Sequence, residues 1–347
     1  MAARVRLFRV DAVKLLAAVL VVIIHTSWYM YVSDQRSFWT YDVYRGVADV
    51  AVPVFFVFSG FFLARKDARG ILAWSAKLFV LYVASTLLYL LYDLARLAAD
   101  RVVVGHGFVT ALREEVGSWS MSAFVRGDLA EVHLWYLAAS AIAGCLLAVM
   151  RARGAGAGTM LVVAFATWAV AGSGLVDLQR VVAYGGFPKA LAFLAVGVWL
   201  AERGARSAWW QALVAAVALA GYTVLRHLGA GTAIELLLVV AACALAAFAI
   251  TPDARRGVLS RLGTYALTIY VLHVMVYSTA TRVLRYADVD YSGVSGEPWF
   301  TFALAAVAIL GSVALHRPFE ALVVRPCARL AQRLVPAPGS AAAPAAA

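Results

Sequence analysis

The chain has 347 residues, 64% of them hydrophobic and 14% charged, with 30 Lys+Arg against 19 Asp+Glu and a formal net charge of +11. A soluble domain carries roughly 25% charged residues, so this composition leaves too little polar surface to cover a water-exposed globule of this size. It also excludes a disordered, collagen-like or disulfide-framed chain. Cys145, Cys243 and Cys327 are widely spaced and form neither a disulfide set nor a metal-ligand spacing. The expected fold class is all-α, a polytopic integral membrane bundle.

Apolar runs long enough to span a bilayer, roughly 17–25 residues, lie near 10–32, 46–64, 71–94, 133–150, 158–175, 184–201, 208–226, 232–250, 263–284 and 298–316. They predict about ten transmembrane helices. The first run follows Arg4, Arg6 and Arg9 without a small-residue cleavage site, so it reads as a retained span.

That first run, VDAVKLLAAVLVVIIHTSW, carries Asp11, Lys14 and His25. Ionisable groups inside a span cost roughly 2.5–3.5 kcal/mol on insertion scales and are functional hypotheses by default. At about 100° per residue, Lys14 and His25 point the same way, about 16 Å apart along the axis. Asp11 lies one turn below Lys14 and can pair with it. Lys14 snorkelling inward and His25 bonded to a neighbouring helix is the plainer reading. Alignment across most of the bilayer is more than snorkelling requires, and an imidazole that exchanges protons near neutral pH suits a general base.

The second run reads VPVFFVFSGFFLARK. Pro53 breaks its outer half, and Ser59–Gly60 lets a backbone or ligand come close. Arg65, Lys66 and Arg69 follow, and Trp74 and Lys77 stand at the start of the third run. The segment 95–132 is of mixed charge, and its aromatics Phe108, Trp119 and Phe124 suggest a short interfacial cap. The fourth run opens EVHLWYL, placing Glu131, His133, Trp135 and Tyr136 at an interface where aromatics gather in any case. GAGAG at 154–158 has no preceding strand and reads as a hinge. The sixth run carries Pro188 and Lys189 near one end. In the ninth, LGTYALTIYVLH, Tyr270 and His273 are one turn apart and Tyr277 one turn further, a polar stripe on one face. The final VPAPGSAAAPAAA is low-complexity and expected to be a disordered tail, giving a membrane domain over 1–334 and a tail over 335–347.

With the N-terminus inside, 17 of the 30 basic residues fall in cytoplasmic segments, among them Arg151 and Arg153. Every inner loop is then net basic, which places both termini in the cytoplasm. The charge excess therefore sets topology and does not indicate nucleic acid.

At VDAVKLLAAVLVVIIHTSW, VPVFFVFSGFFLARK, HLWYL and LGTYALTIYVLH, in that order, the sequence resembles the acyltransferase-3 family of integral-membrane acyltransferases. HTSW, SGFF and HLWYL are most similar to the branch that O-acetylates surface-glycan precursors. The resemblance runs from the first span to the ninth. It implies transfer of an acyl group, usually acetyl, from cytoplasmic acyl-CoA to an extracytoplasmic acceptor hydroxyl, in the cytoplasmic (inner) membrane of a bacterium. It maps the family's basic residue and histidine onto Lys14 and His25. Lysine keeps the charge without arginine's planar fork. Of the family's basic pair at the start of the third span only Lys77 is basic, Trp74 taking the other place, with Arg65, Lys66 and Arg69 nearby.

The expected enzyme is a membrane O-acyltransferase with His25 as general base. Lys14, Tyr270 and His273 are the other catalytic candidates, the last two and Ser59 as oxyanion donors. Ser59, Trp135, Arg65, Lys66, Arg69 and Lys77 are the substrate-binding candidates. Acyl-CoA serves as donor substrate, with no permanently bound cofactor and no metal, and the partners are the lipid bilayer and a glycan or lipid-linked acceptor. The competing reading is a proton-coupled transporter or flippase, since aligned ionisable residues also build proton relays. The paired broken helices of inverted repeats that such proteins show are not evident.

Overall fold

A computed structural model of the protein describes residues 7–27, 41–104, 119–175, 185–204, 208–230, 234–250, 257–295 and 297–336, with isolated residues at 109, 112–113, 116–117 and 182. The expectations for Arg4, Arg6, Trp28, Phe108, Arg206, Arg255, Arg256 and the tail over 337–347 lie outside the described residues. Those residues contain helices and no strand. The protein is an all-α, polytopic membrane protein, and the described residues of each of the ten apolar runs are largely helical. Exposed side chains such as Trp209, Leu213 and Val217, which recur every fourth residue along one helix at 76%, 54% and 65% exposure, suit lipid and not water.

By length and composition, four helices among the described residues can cross a membrane, Val43–Leu63, Ala68–Asp100, Val132–Ala152 and Val258–Tyr286, or up to five if Pro298–Ala314 and His316–Leu334 form one broken span. The first helix, Phe8–Thr26 (α1), falls outside that group although it has 19 residues, because Arg9, Asp11 and Lys14 all lie in its first two turns.

The chain divides into two compact units. The first comprises Met1–Ser59 and Leu200–Arg317. It holds α1, then α2 (Val43–Ala48) and most of α3 (Ala51–Leu63). The break between α2 and α3 falls at Asp49–Val50. Pro53 explains it: proline has no N–H for the carbonyl of Asp49, and its ring clashes with that carbonyl. Further along come Trp209–His227, Glu235–Ala249, Val258–Leu262, Ala266–Tyr286 and Pro298–Ala314. Leu15, Ala18 and Val22 of α1 bury themselves against Ala266, Ile269, Ala305 and Ala308, with Phe55, Tyr265 and Tyr277 packed around. The many alanines let helix axes approach closely, which is how spans associate when lipid removes the hydrophobic drive.

The second unit comprises Gly60–Trp199 and Pro318–Ala347. Its longest element is Ala68–Val104, 37 residues and about 55 Å long. The sequence placed the end of this span near residue 94. The helix continues because Arg96 and Asp100 need only leave the apolar layer, and Arg96 Nε pairs with Asp93 at 3.0 Å. Asp67 Oδ1 accepts from Gly70 N at 2.8 Å and satisfies one donor of its first turn. Trp135–Ala152 packs along it, with Gly144 against Trp74 and Ser75. Gly60 faces the backbone carbonyl of Leu194, so a Cβ there has no space; the expected close backbone approach at Ser59–Gly60 is present. Within the segment expected to form an interfacial cap, Met121–Arg126 is helical, and Phe124 packs from it on Tyr82 with ring centroids 5.2 Å apart. Lys189 is accommodated by its ammonium lying 5.9 Å from the centre of the Trp168 ring.

Candidate active site

The histidines of the first and ninth spans meet. Along α1, Leu15, Ala18, Val22 and His25 follow one another at spacings of three, four and three, the pattern of a packing seam. In the helix Ala266–Tyr286, here α4, the residues Ala266, Ile269, His273 and Tyr277 follow at spacings of three, four and four, again one face of a helix. The seams face each other in parallel: Gly263, just before α4, lies against the backbone of Asp11, and at the far end His25 and His273 stand with ring centroids 5.1 Å apart and planes at 54°. An apolar seam thus turns polar at one level, where two imidazoles share a low-dielectric setting. Tyr277 adds an aromatic ring 6.5 Å from His273.

His273 is fully buried, and its Nδ1 lies 3.0 Å from the carbonyl of Ile269 and 2.9 Å from that of Tyr270. A carbonyl can only accept, so Nδ1 carries the proton and the neutral ring has its basic lone pair on Nε2. His273 in this tautomer is an acceptor toward its surroundings. Tyr270 is buried and meets His273 through its backbone carbonyl. Thr26 and Ser27 turn their hydroxyls back onto the carbonyls of Val22 and Ile24. Phe55 packs on the α1–α4 seam, and Ser59 lies one turn further along the same face of α3.

Lys14 sits partly buried near the opposite end of α1, where the charge of Asp11 acts on it. The separation of about 16 Å along the helix keeps Lys14 from sharing a reacting atom with His25. The two are therefore parts of one face but not of one constellation.

Sequence reasoning missed a polar cluster in the same unit. Asp49 accepts from Arg45 Nε at 3.0 Å, from the Tyr222 hydroxyl at 3.0 Å and from Arg226. His227 Nδ1 meets Asp42 at 2.7 Å beside it. Arg45 is close enough for its charge to act on His25, which puts the cluster at the histidine end of α1. Only the position of Asp49 at the break before Pro53 hinted at it. Two of its partners, Tyr222 and Arg226, come from a helix more than 170 residues away.

The remaining candidates are in the second unit. Arg65 and Lys66 are exposed on the short connection before Ala68–Val104, and Arg69 is exposed in the first turn of that helix. Arg151 joins them by donating from Nη2 to the carbonyl of Ala64 at 3.3 Å. Lys77 is exposed two turns along the helix, about 12 Å beyond Arg69. Trp74 is occupied in packing against Gly144, which explains why an aromatic is tolerated in place of a basic residue. Trp135 opens its helix, partly exposed, two residues after His133, whose buried ring stands edge-on to Tyr89 with centroids 5.3 Å apart.

Comparison with curated proteins and with solved structures gives no match. The family model of the acyltransferase-3 acyltransferase domain matches residues 7–317, most of the chain and both seams. The chain belongs to the acyltransferase-3 family and is a multi-pass membrane acyltransferase.

Proposed function

We propose that the protein transfers an acyl group, acetyl by preference, from cytoplasmic acyl-CoA to a hydroxyl of an extracytoplasmic glycan or lipid-linked precursor, in the bacterial cytoplasmic membrane with both termini inside. The observation that carries the reading is the His25–His273 pair, 5.1 Å apart at one end of a seam whose other end holds Asp11 and Lys14.

In this reading the phosphates of the donor engage the exposed Arg65, Lys66 and Arg69, whose guanidinium and ammonium groups suit charge-assisted bonds to phosphate, with the partly buried Arg151 beside them. The acyl transfer itself is assigned to His25. His25 takes the proton from the acceptor hydroxyl as its oxygen adds to the thioester carbon. The tetrahedral oxyanion collapses, the C–S bond breaks, and the departing CoA sulfur takes the proton back from His25. His273, whose Nδ1 bonds to Ile269 and Tyr270 leave the lone pair on Nε2 and whose ring centroid is 5.1 Å from that of His25, is assigned to take an N–H from His25 as the reaction proceeds and so to orient it, as the third member of a nucleophile–base–orienter set does. That assignment makes His273 a positioning residue and leaves oxyanion stabilisation to hydroxyl donors such as Ser59 or Tyr270.

The test uses the purified full chain in lipid discs with acetyl-labelled CoA and glycan precursor. Label on the precursor with release of the free thiol supports the reading. Intact acetyl-CoA in the presence of acceptor, or movement of precursor across the membrane without covalent change, refutes it.

A further inference from the structure

The helix Arg325–Leu334 lies beyond the residues matched by the family model and has no part in the reaction described above. Cys327 and Ala331 are its buried residues, and it packs on Ala68–Val104, with Cys327 Sγ 3.9 Å from the carbonyl of Val80. Arg325, Arg329 and Arg333 recur every fourth residue and are all exposed. At 100° per residue they centre about 180° from Cys327 and Ala331, so the arginine stripe points directly away from the packed face. Between the two faces lie Leu330 and Leu334, exposed at 48% and 60%. Among the described residues the stripe is opposed by one carboxylate, Glu320, 3.7 Å from Arg325 with both side chains substantially exposed.

A helix with one face on protein, an apolar flank and a cationic face is built to lie at the boundary between headgroups and acyl chains. The arginines alone match any phosphate. The exposed leucines beside them match only a phosphate that brings hydrocarbon with it. We propose that Arg325–Leu334 is an interfacial docking site for anionic phospholipid, with the headgroup phosphates on Arg325, Arg329 and Arg333 and the acyl chains against Leu330 and Leu334. The site holds the second unit to the cytoplasmic leaflet, where anionic headgroups attract basic segments.

The full chain is placed in phosphatidylcholine discs with and without phosphatidylglycerol, and backbone hydrogen exchange is followed in peptides covering residues 325–334. Phosphatidylglycerol slows exchange there in the wild type, and the slowing disappears in the triple variant R325Q/R329Q/R333Q. Native mass spectrometry of the same samples shows phosphatidylglycerol enrichment falling by about fivefold for each arginine removed. The single variant Arg329→Gln, at an exposed position without an ion pair among the described residues, keeps the test usable if the triple variant does not fold. Exchange that is indifferent to phosphatidylglycerol, or equally slowed in Arg329→Gln and wild type, overturns the proposal. So does slowing produced by coenzyme A in pure phosphatidylcholine, which assigns the stripe to donor phosphates instead.

Discussion

The two units handle polar groups in opposite ways. In the first, His25 and His273 continue apolar seams, and one of them is fully buried with its Nδ1 committed to two carbonyls. In the second, Arg65 and Lys66 stand exposed on a short connection and Arg69 in the first turn of the helix that follows, with Arg151 alongside. A buried polar group persists only where the fold supplies its partners, so the geometry of the histidine pair is dictated by packing. Exposed charges need only the right side of the membrane. The first arrangement suits chemistry that depends on fractions of an ångström, the second suits capture of a charged substrate.

Substitutions sharpen this contrast. The largest effect is expected from His25→Ala: loss of a general base costs roughly 10²–10⁴-fold, measured as acetyl transfer by protein shown to be folded and inserted. A variant that still acylates normally removes His25 from the mechanism. His273→Phe keeps an aromatic ring but deletes the acceptor. A hydrogen bond to a group that becomes charged contributes about 1.5–3 kcal/mol, so kcat should fall about 10- to 150-fold. An equal loss of thermal stability with unchanged kcat means that the pair is structural only.

Smaller effects separate packing from capture. Gly60→Ala and Gly263→Ala each place a methyl group against backbone, of Leu194 and of Asp11, which cannot yield as a side chain can. Overpacking of this kind costs about 1–3 kcal/mol and appears as a lower midpoint of unfolding; an unchanged midpoint refutes the close approach. The least is expected at the connection, where each of Arg65→Gln, Lys66→Gln and Arg69→Gln removes an exposed charge valued at about 0.2–1 kcal/mol. Steady-state kinetics should show KM for acyl-CoA rising while kcat is held, and the difference from wild type should shrink as salt is added. A selective fall in kcat moves these residues out of the binding role.

Much of the fold was legible because lipid leaves so few options. A run of apolar residues must close its own backbone hydrogen bonds and become helix, and the described residues of all ten runs are largely helical. The common face of Lys14 and His25 followed from helical period alone, as did the Tyr270–His273–Tyr277 stripe. The extension of Ala68–Val104 past residue 94 was not legible, because charges end the apolar layer without ending a helix. The cluster on Asp49 was invisible for another reason: Arg45 is near in sequence, but Tyr222 and Arg226 arrive from a helix 173 and 177 residues away.

By itself the sequence determined the class, the positions of the helices and which ionisable residues stand in apolar surroundings, since these depend on local composition and period. Only the tertiary structure decided which of those residues meet. It set His25 beside His273, left Lys14 at the other end of the same helix, and turned Trp74 into a packing residue. Such pairings arise from the seating of small residues, such as Gly263 against Asp11, and close packing between distant segments is not encoded in the period of either one.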